Sequence, residues 1–76
     1  MLKLSSFASV CRQYSIPFSI EFTYSKTYAV IGGTRDEWYK TPFYNELLVR
    51  GASPVRAVVH PVYSTHDMWF QLESLT

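Results

Sequence analysis

The chain has almost no cysteine and no long apolar run. Its single cysteine, Cys11, excludes an internal disulfide bond. No apolar segment approaches the ~20 residues that a membrane-spanning helix needs, and the N-terminus passes into serines and Arg12 where a signal peptide would have an apolar core. We therefore expect an intracellular, cytoplasmic protein without a membrane partner.

Charge is also scarce, and neither sign is concentrated. Seven Lys and Arg residues against six Asp and Glu give a net charge of +1 over 76 residues, and the basic positions are scattered along the chain. Nucleic-acid-binding domains usually carry a basic stripe, so this composition ranks nucleic-acid binding below protein binding.

Aromatic side chains are the abundant feature, with six tyrosines, five phenylalanines and two tryptophans. A chain of this length forms one domain, over residues 1–76, and buries only roughly 60% of its unfolded surface. Some of these rings must therefore remain at the surface. Tyrosine and tryptophan are enriched at protein–protein interfaces, which favours a binding partner or a second copy of the chain.

The stretch 17–33 predicts a β-hairpin on which the other segments pack. Apolar residues alternate there with polar ones, the pattern of a strand with one buried face: Phe18, Ile20, Phe22 and Tyr24. A three-residue loop pairs Tyr24 with Tyr28 and Phe22 with Val30, so that large apolar residues share one face, and we expect this register. A five-residue loop keeps the same facing, whereas a two-residue Ser25-Lys26 loop turns Tyr28 and Val30 to the polar face.

Two helical regions are indicated. Residues 4–15 carry an amphipathic stripe, with Ser5 or Ser6 as the N-cap and an end at Ile16-Pro17; the stripe consists of Phe7, Val10, Cys11 and Tyr14. Thr34 and Glu37 fit a capping box that opens the second region. Thr41-Pro42 interrupts it and restarts a helix, and Gly51 ends that helix. The buried stripe after the restart is Phe43, Tyr44, Leu47 and Leu48.

The C-terminal third predicts a second hairpin after a loop at 52–54. Strands 55–62 and 67–73 with a loop at 63–66 place Val59 opposite Phe70 and Ala57 opposite Leu72, with Met68 on the same face. The other face then carries Val58, His60, Trp69 and Gln71, and Pro61 belongs near a sheet edge. The order α-β-β-α-β-β indicates an α+β fold, an antiparallel sheet of two hairpins with two helices on one face.

No motif assembles catalytic chemistry. Gly32-Gly33-Thr34 lacks the spacing of a phosphate-binding loop, so we interpret it as a tight turn and an anion site as the weaker alternative. His60, His66, Asp67 and Cys11 show no metal-ligand spacing. Cys11 lies on an apolar helix stripe, and the sequence predicts no general base beside it that could activate the thiol. We therefore expect no catalytic residue, metal or cofactor, and no enzymatic activity.

The partner-binding surface is predicted to lie on the outer face of the second hairpin and its neighbours. The residues expected to contribute are Trp69, His60, Tyr28, Tyr39, Arg35 and Tyr63. An exposed tryptophan beside a histidine on an uncovered sheet face is typical of an interface.

In size, expected location and lack of catalytic apparatus, the chain resembles in kind the small single-domain proteins that phages and mobile elements encode, such as inhibitors, anti-defence proteins and antirepressors. The resemblance implies a non-enzymatic protein-binding module that blocks or modulates a partner by covering its surface, as a monomer or a homodimer. The alternative is a small nucleic-acid-binding regulator.

Overall fold

The computed structural model describes residues 1–23, 25–55 and 67–73. Its elements are α1 (Leu4–Gln13), β1 (Ser19–Thr23), β2 (Lys26–Ile31), α2 (Arg35–Trp38), α3 (Pro42–Val49), β3 (Ser53–Val55) and β4 (Met68–Leu72). The strands form one antiparallel sheet in the order β1-β2-β4-β3. The predicted α+β class is confirmed. Within the described ranges, no helix combines the length and the apolar character needed to span a bilayer.

The sheet has two differently covered faces. One, the helix face, packs against α1 and α3 in a core that includes Phe7, Phe43 and Leu47 from the helices. The sheet residues in this core are Ala29, Ile31, Met68, Phe70 and Leu72. The other, the far face, carries a smaller buried cluster of Tyr28, Val30 and Trp69, with Val55 against it. The prediction that the helices cover one face, with Met68, Phe70 and Leu72 turned towards them, is correct.

The register of the first hairpin differs from the predicted one. Thr23 pairs with Lys26 across a two-residue turn, and Phe22 pairs with Thr27 instead of Val30. Ser25 in this turn adopts a left-handed φ of 61°, a region that two-residue hairpin turns of type I′ use. The prediction assumed that β2 has one buried face. In fact β2 lies between β1 and β4, and five consecutive residues of it are buried, so Tyr28 and Val30 occupy the far face at no cost in burial.

The second hairpin is also displaced from its prediction. Ser53 and Pro54, expected in a loop, belong to β3, and Phe70 pairs with Pro54 where Val59 was expected. Proline is tolerated there because β3 is an edge strand. The other predicted elements of this hairpin, including Ala57, Val58, Val59 and the edge position of Pro61, fall outside the described residues.

Helix α1 has the predicted stripe but different ends. Phe7, Val10 and Cys11 are buried, but Lys3 is the N-cap, and Ser5 and Ser6 lie inside the helix. The start is set by a tertiary contact, because Leu2 bridges to Leu72 and accepts a 3.0 Å hydrogen bond from the Glu73 N–H. At the other end the N–H of Ile16 bonds to the carbonyl of Cys11 and that of Ser15 to the carbonyl of Arg12. This is a Schellman motif with serine, φ 56°, at the left-handed position.

The interruption at Thr41-Pro42 is confirmed. The Thr41 hydroxyl donates to the carbonyl of Trp38 at 2.7 Å and accepts from the N–H of Tyr44 at 3.2 Å, while Pro42 occupies the first turn of α3. Gly51, φ 94°, ends α3 as predicted. Two details were wrong. Thr34 occupies the N-cap of α2 without a side-chain bond to the backbone, and Leu48 is exposed.

Candidate functional site

Trp69, the centre of the predicted binding surface, lies on the predicted face but is fully buried, with 0% exposure. Its strand, β4, is flanked by β2 and β3, and on the far face Tyr28, Val30 and Val55 belong to the same cluster. Its ring meets Tyr28 edge to face, 5.7 Å between centroids, and Val55 packs on the same cluster. Tyr28 is itself only 9% exposed. Both residues therefore form a second core, and the prediction that they are exposed is wrong.

The remaining four predicted residues divide into two pairs. His60 and Tyr63 lie outside the described residues. Arg35 and Tyr39 are exposed and one helical turn apart, joined by a 2.9 Å hydrogen bond from the Tyr39 N–H to the Arg35 carbonyl. The Lys40 ammonium lies 5.4 Å from the Tyr39 ring centroid. This basic–aromatic group, here the α2 patch, consists of Arg35, Tyr39 and Lys40, and its net charge is reduced by Asp36 and Glu37 between them.

The Gly32-Gly33 turn is explained by packing. Gly33 has a φ of 99°, and a Cβ added there would lie 2.8 Å from Trp38 Nε1. The same indole N–H donates a 2.8 Å hydrogen bond to the Gly32 carbonyl. Glycine is therefore required for backbone conformation and for close approach of the indole. The turn leads into a helix of four residues, so no anion site is supported.

The nucleophile-type and metal-type residues that can be placed are Cys11 and the described acidic side chains; His60 and His66 lie outside the described residues. Cys11 is fully buried, and burial raises the pKa of its thiol to about 12, which keeps it protonated at neutral pH. Among residues 1–23, 25–55 and 67–73, no three His, Cys, Asp or Glu side chains approach closely enough to hold a metal ion. Cys11 therefore has the structural role that its place on the apolar stripe predicted.

The outer edge of β1 is a surface feature that the sequence did not reveal. In the described part of the chain β1 pairs only with β2. Because Thr23 and Lys26 flank a two-residue turn, they form a hydrogen-bonded pair, and alternation along the ladder directs the N–H and C=O groups of Ile20 and Phe22 away from β2. The Phe22 side chain is 66% exposed. A strand edge and a large exposed ring therefore coincide at one residue.

Phe22 was not predicted as a binding residue because the alternation of apolar and polar residues placed it on the buried face of the strand. It does lie on the helix face, opposite Thr27, but at the sheet edge, where the helices leave it uncovered. Phe22 is exposed because β1 lies at the edge of the sheet, and that position depends on the long-range pairing of β2 with β4.

A cleft of about 270 Å³ opens at the opposite end of β1 from Phe22. Its walls are contributed by the segment entering β1, the end of β2 and the start of β4: Pro17, Phe18, Ser19, Val30, Gly32 and Asp67. Apolar surface predominates, and Asp67 is the one charged residue among the described residues that line it. The cleft is therefore suited to a ligand with an apolar body and a polar or cationic end.

No family model matches this sequence, and comparisons with curated proteins and with solved structures give no significant match.

Proposed function

We propose that this protein is a non-enzymatic binding module that blocks or modulates a partner protein by covering part of its surface. The observation that supports the proposal is the β1 edge, where outward-directed backbone groups of Ile20 and Phe22 adjoin an exposed Phe22 ring. Natural proteins usually protect sheet edges with charge, proline or a bulge. Within Ser19–Thr23 there is no proline, lysine or arginine, and Glu21 is the one charged side chain.

The chemistry of the edge indicates the kind of partner. Backbone N–H and C=O groups along an edge strand bind an extended segment of another chain, which adds one strand to the sheet. Burying Phe22 in an apolar pocket of that partner contributes about 1.5–3 kcal/mol. The occupant we expect is therefore an extended, partly apolar segment of a different protein.

The test compares wild-type protein with Phe22→Lys and a matched control, Val49→Lys. Both replace an exposed apolar side chain, 66% and 78% exposed, with the same charged one, so neither should lower the melting temperature appreciably. Each form is immobilised and exposed to lysate of the source organism, with and without nuclease treatment, at about 0.5 M NaCl to screen surface charge. A protein retained by wild type and Val49→Lys but lost with Phe22→Lys supports the proposal.

Two results would contradict it. Equal capture by Phe22→Lys places the interface elsewhere, and capture that disappears on nuclease treatment points to nucleic acid. Sedimentation of the purified protein tests whether the edge instead binds a second copy of this chain. Self-association that Phe22→Lys abolishes would show that the edge pairs with a second copy of this chain, and the module would then be a homodimer.

The alternative function, a small nucleic-acid-binding regulator, is favoured by the α2 patch alone. Tyr39 offers a ring for base stacking, and Arg35 and Lys40 offer charge for phosphates. Titration of a fluorescent single-stranded oligonucleotide at several salt concentrations tests it. Steep loss of affinity with salt, and a further loss in Tyr39→Ala, would support this function over protein binding.

A further inference from the structure

We infer that the cleft lined by Pro17, Phe18, Ser19, Val30, Gly32 and Asp67 binds a guanidinium group on an alkyl stem, as carried by an arginine side chain of the partner segment. The assignment of a guanidinium rests on the cleft itself. Its assignment to a partner protein rests on the proposed function.

The size of the cleft favours a single side chain. Pockets for complete small-molecule ligands enclose ~300–1,000 Å³, and this one measures about 270 Å³ and is open to solvent on one side. An extended arginine side chain fills such a space with its stem, while its backbone remains outside.

The charges around the cleft favour a cation. Asp67 lines it, and no hydrogen bond or ion pair joins its carboxylate to another described residue. An ionised carboxylate only accepts hydrogen bonds, so the complementary group is a cationic donor.

The remaining walls favour guanidinium over ammonium. Pro17 and Phe18 contribute apolar surface to the lining, against which a planar, weakly hydrated guanidinium packs more readily than a strongly hydrated ammonium. A guanidinium also bonds to a carboxylate through two parallel N–H groups, whereas an ammonium acts as a point charge.

The cleft is also close to the proposed docking edge. Ser19 belongs both to its lining and to β1. A partner segment paired along β1 advances ~3.4 Å per residue. It would therefore reach the mouth of the cleft about three residues after the position opposite Phe22. One partner segment can therefore contact Phe22 and place an arginine in the cleft at the same time.

The experiment titrates isotope-labelled protein with N-acetyl-arginine methylamide and follows backbone amide signals. The matched probe is N-acetyl-citrulline methylamide, which has nearly the same shape without the charge. We expect saturable shifts at Ser19, Val30 and Gly32 with affinity in about the millimolar range, and at least threefold weaker binding of the citrulline probe, the order of effect of a partly exposed ion pair. Asp67→Asn should remove this preference, and Asp36→Asn, an exposed carboxylate outside the cleft, should retain it.

Three outcomes would overturn the inference. Equal binding of both probes would mean that charge is not recognised, an unchanged preference in Asp67→Asn would place the cation elsewhere, and no saturation would mean that no site exists. The readout uses only the purified protein. Failure here and failure of Phe22→Lys to abolish partner capture are therefore separate results.

Discussion

Replacing Ser15 with glycine should stabilise the protein. Ser15 occupies the left-handed position of the Schellman motif that ends α1, with φ 56°. Its N–H is bonded to the Arg12 carbonyl at 3.2 Å, and the next N–H, of Ile16, to the Cys11 carbonyl at 2.9 Å. The conformation is therefore held by the helix end, although a side chain with a Cβ is strained there.

The size of the effect follows from two opposing terms. Relief of left-handed strain contributes about 1–2 kcal/mol, and the greater flexibility of glycine in the unfolded chain offsets about 0.5–1 kcal/mol of it. With mid-range values of both terms, the net gain is about 0.5–1 kcal/mol. For a domain of this size, 1 kcal/mol corresponds to about 4–8 °C in melting temperature, so thermal unfolding followed by circular dichroism should show a rise of about 2–8 °C.

The chain supplies a control of opposite sign. Ser9 is exposed in the middle of the same helix, where glycine is a poor helix former, so Ser9→Gly should lower stability by about 0.5 kcal/mol. Gly51→Ser, which places serine in the equivalent position at the end of α3 with φ 94°, should lower it by about 1 kcal/mol. An unchanged or lower melting temperature for Ser15→Gly would refute the assignment of left-handed strain at this helix end.

Three further outcomes are expected. Thr41→Val should lower the free energy of unfolding, measured by chemical denaturation, by about 1–2 kcal/mol, because it removes the hydrogen bonds to Trp38 and Tyr44. Thr41→Ser should stay near wild type, and an equal loss in both variants would contradict the bridging role of the hydroxyl. Trp69→Ala should cost about 3–5 kcal/mol because the ring is fully buried, and a nearly unchanged melting temperature would mean that the far face is open. The thiol pKa of Cys11 rises from 9.0 to about 12 on folding, so the unfolded chain loses this proton at lower pH than the folded one. The free energy of unfolding should therefore fall between about pH 9 and 12 more steeply than in Cys11→Ala. Parallel pH profiles of the two proteins would exclude the shift.

The local features that were predicted correctly depend on neighbouring residues. Thr41-Pro42 restarts a helix because threonine can cap and proline suits the first turn, whatever packs around them. Gly51 ends α3 for a similarly local reason, its low cost at positive φ. The stripe of α1 was also predictable, because helical periodicity alone brings Phe7, Val10 and Cys11 to one side.

The two strand registers were not predictable in this way. Alternation gives the same signal for several pairings, and the choice among them used the assumption that each hairpin buries one face. β2 and β4 are both central, and side chains on both of their faces are buried, so that assumption fails for Tyr28 and Trp69. The candidate binding features depend on the same fact, since Phe22 is available only because β1 is the edge.

By itself the sequence determined the α+β class, the presence of the helices, the end of α3 at Gly51 and a core that includes Cys11, since these follow from residue spacing and from backbone preferences within a few positions. Only the tertiary structure decided which strands are central, where α1 begins and which aromatic rings remain exposed. Those properties depend on pairing between residues far apart in the chain, such as Val30 with Trp69, and on the Leu2–Leu72 contact. Burial is set by what covers a side chain, so Trp69 became core and Phe22 became surface although both lie in strands of similar pattern.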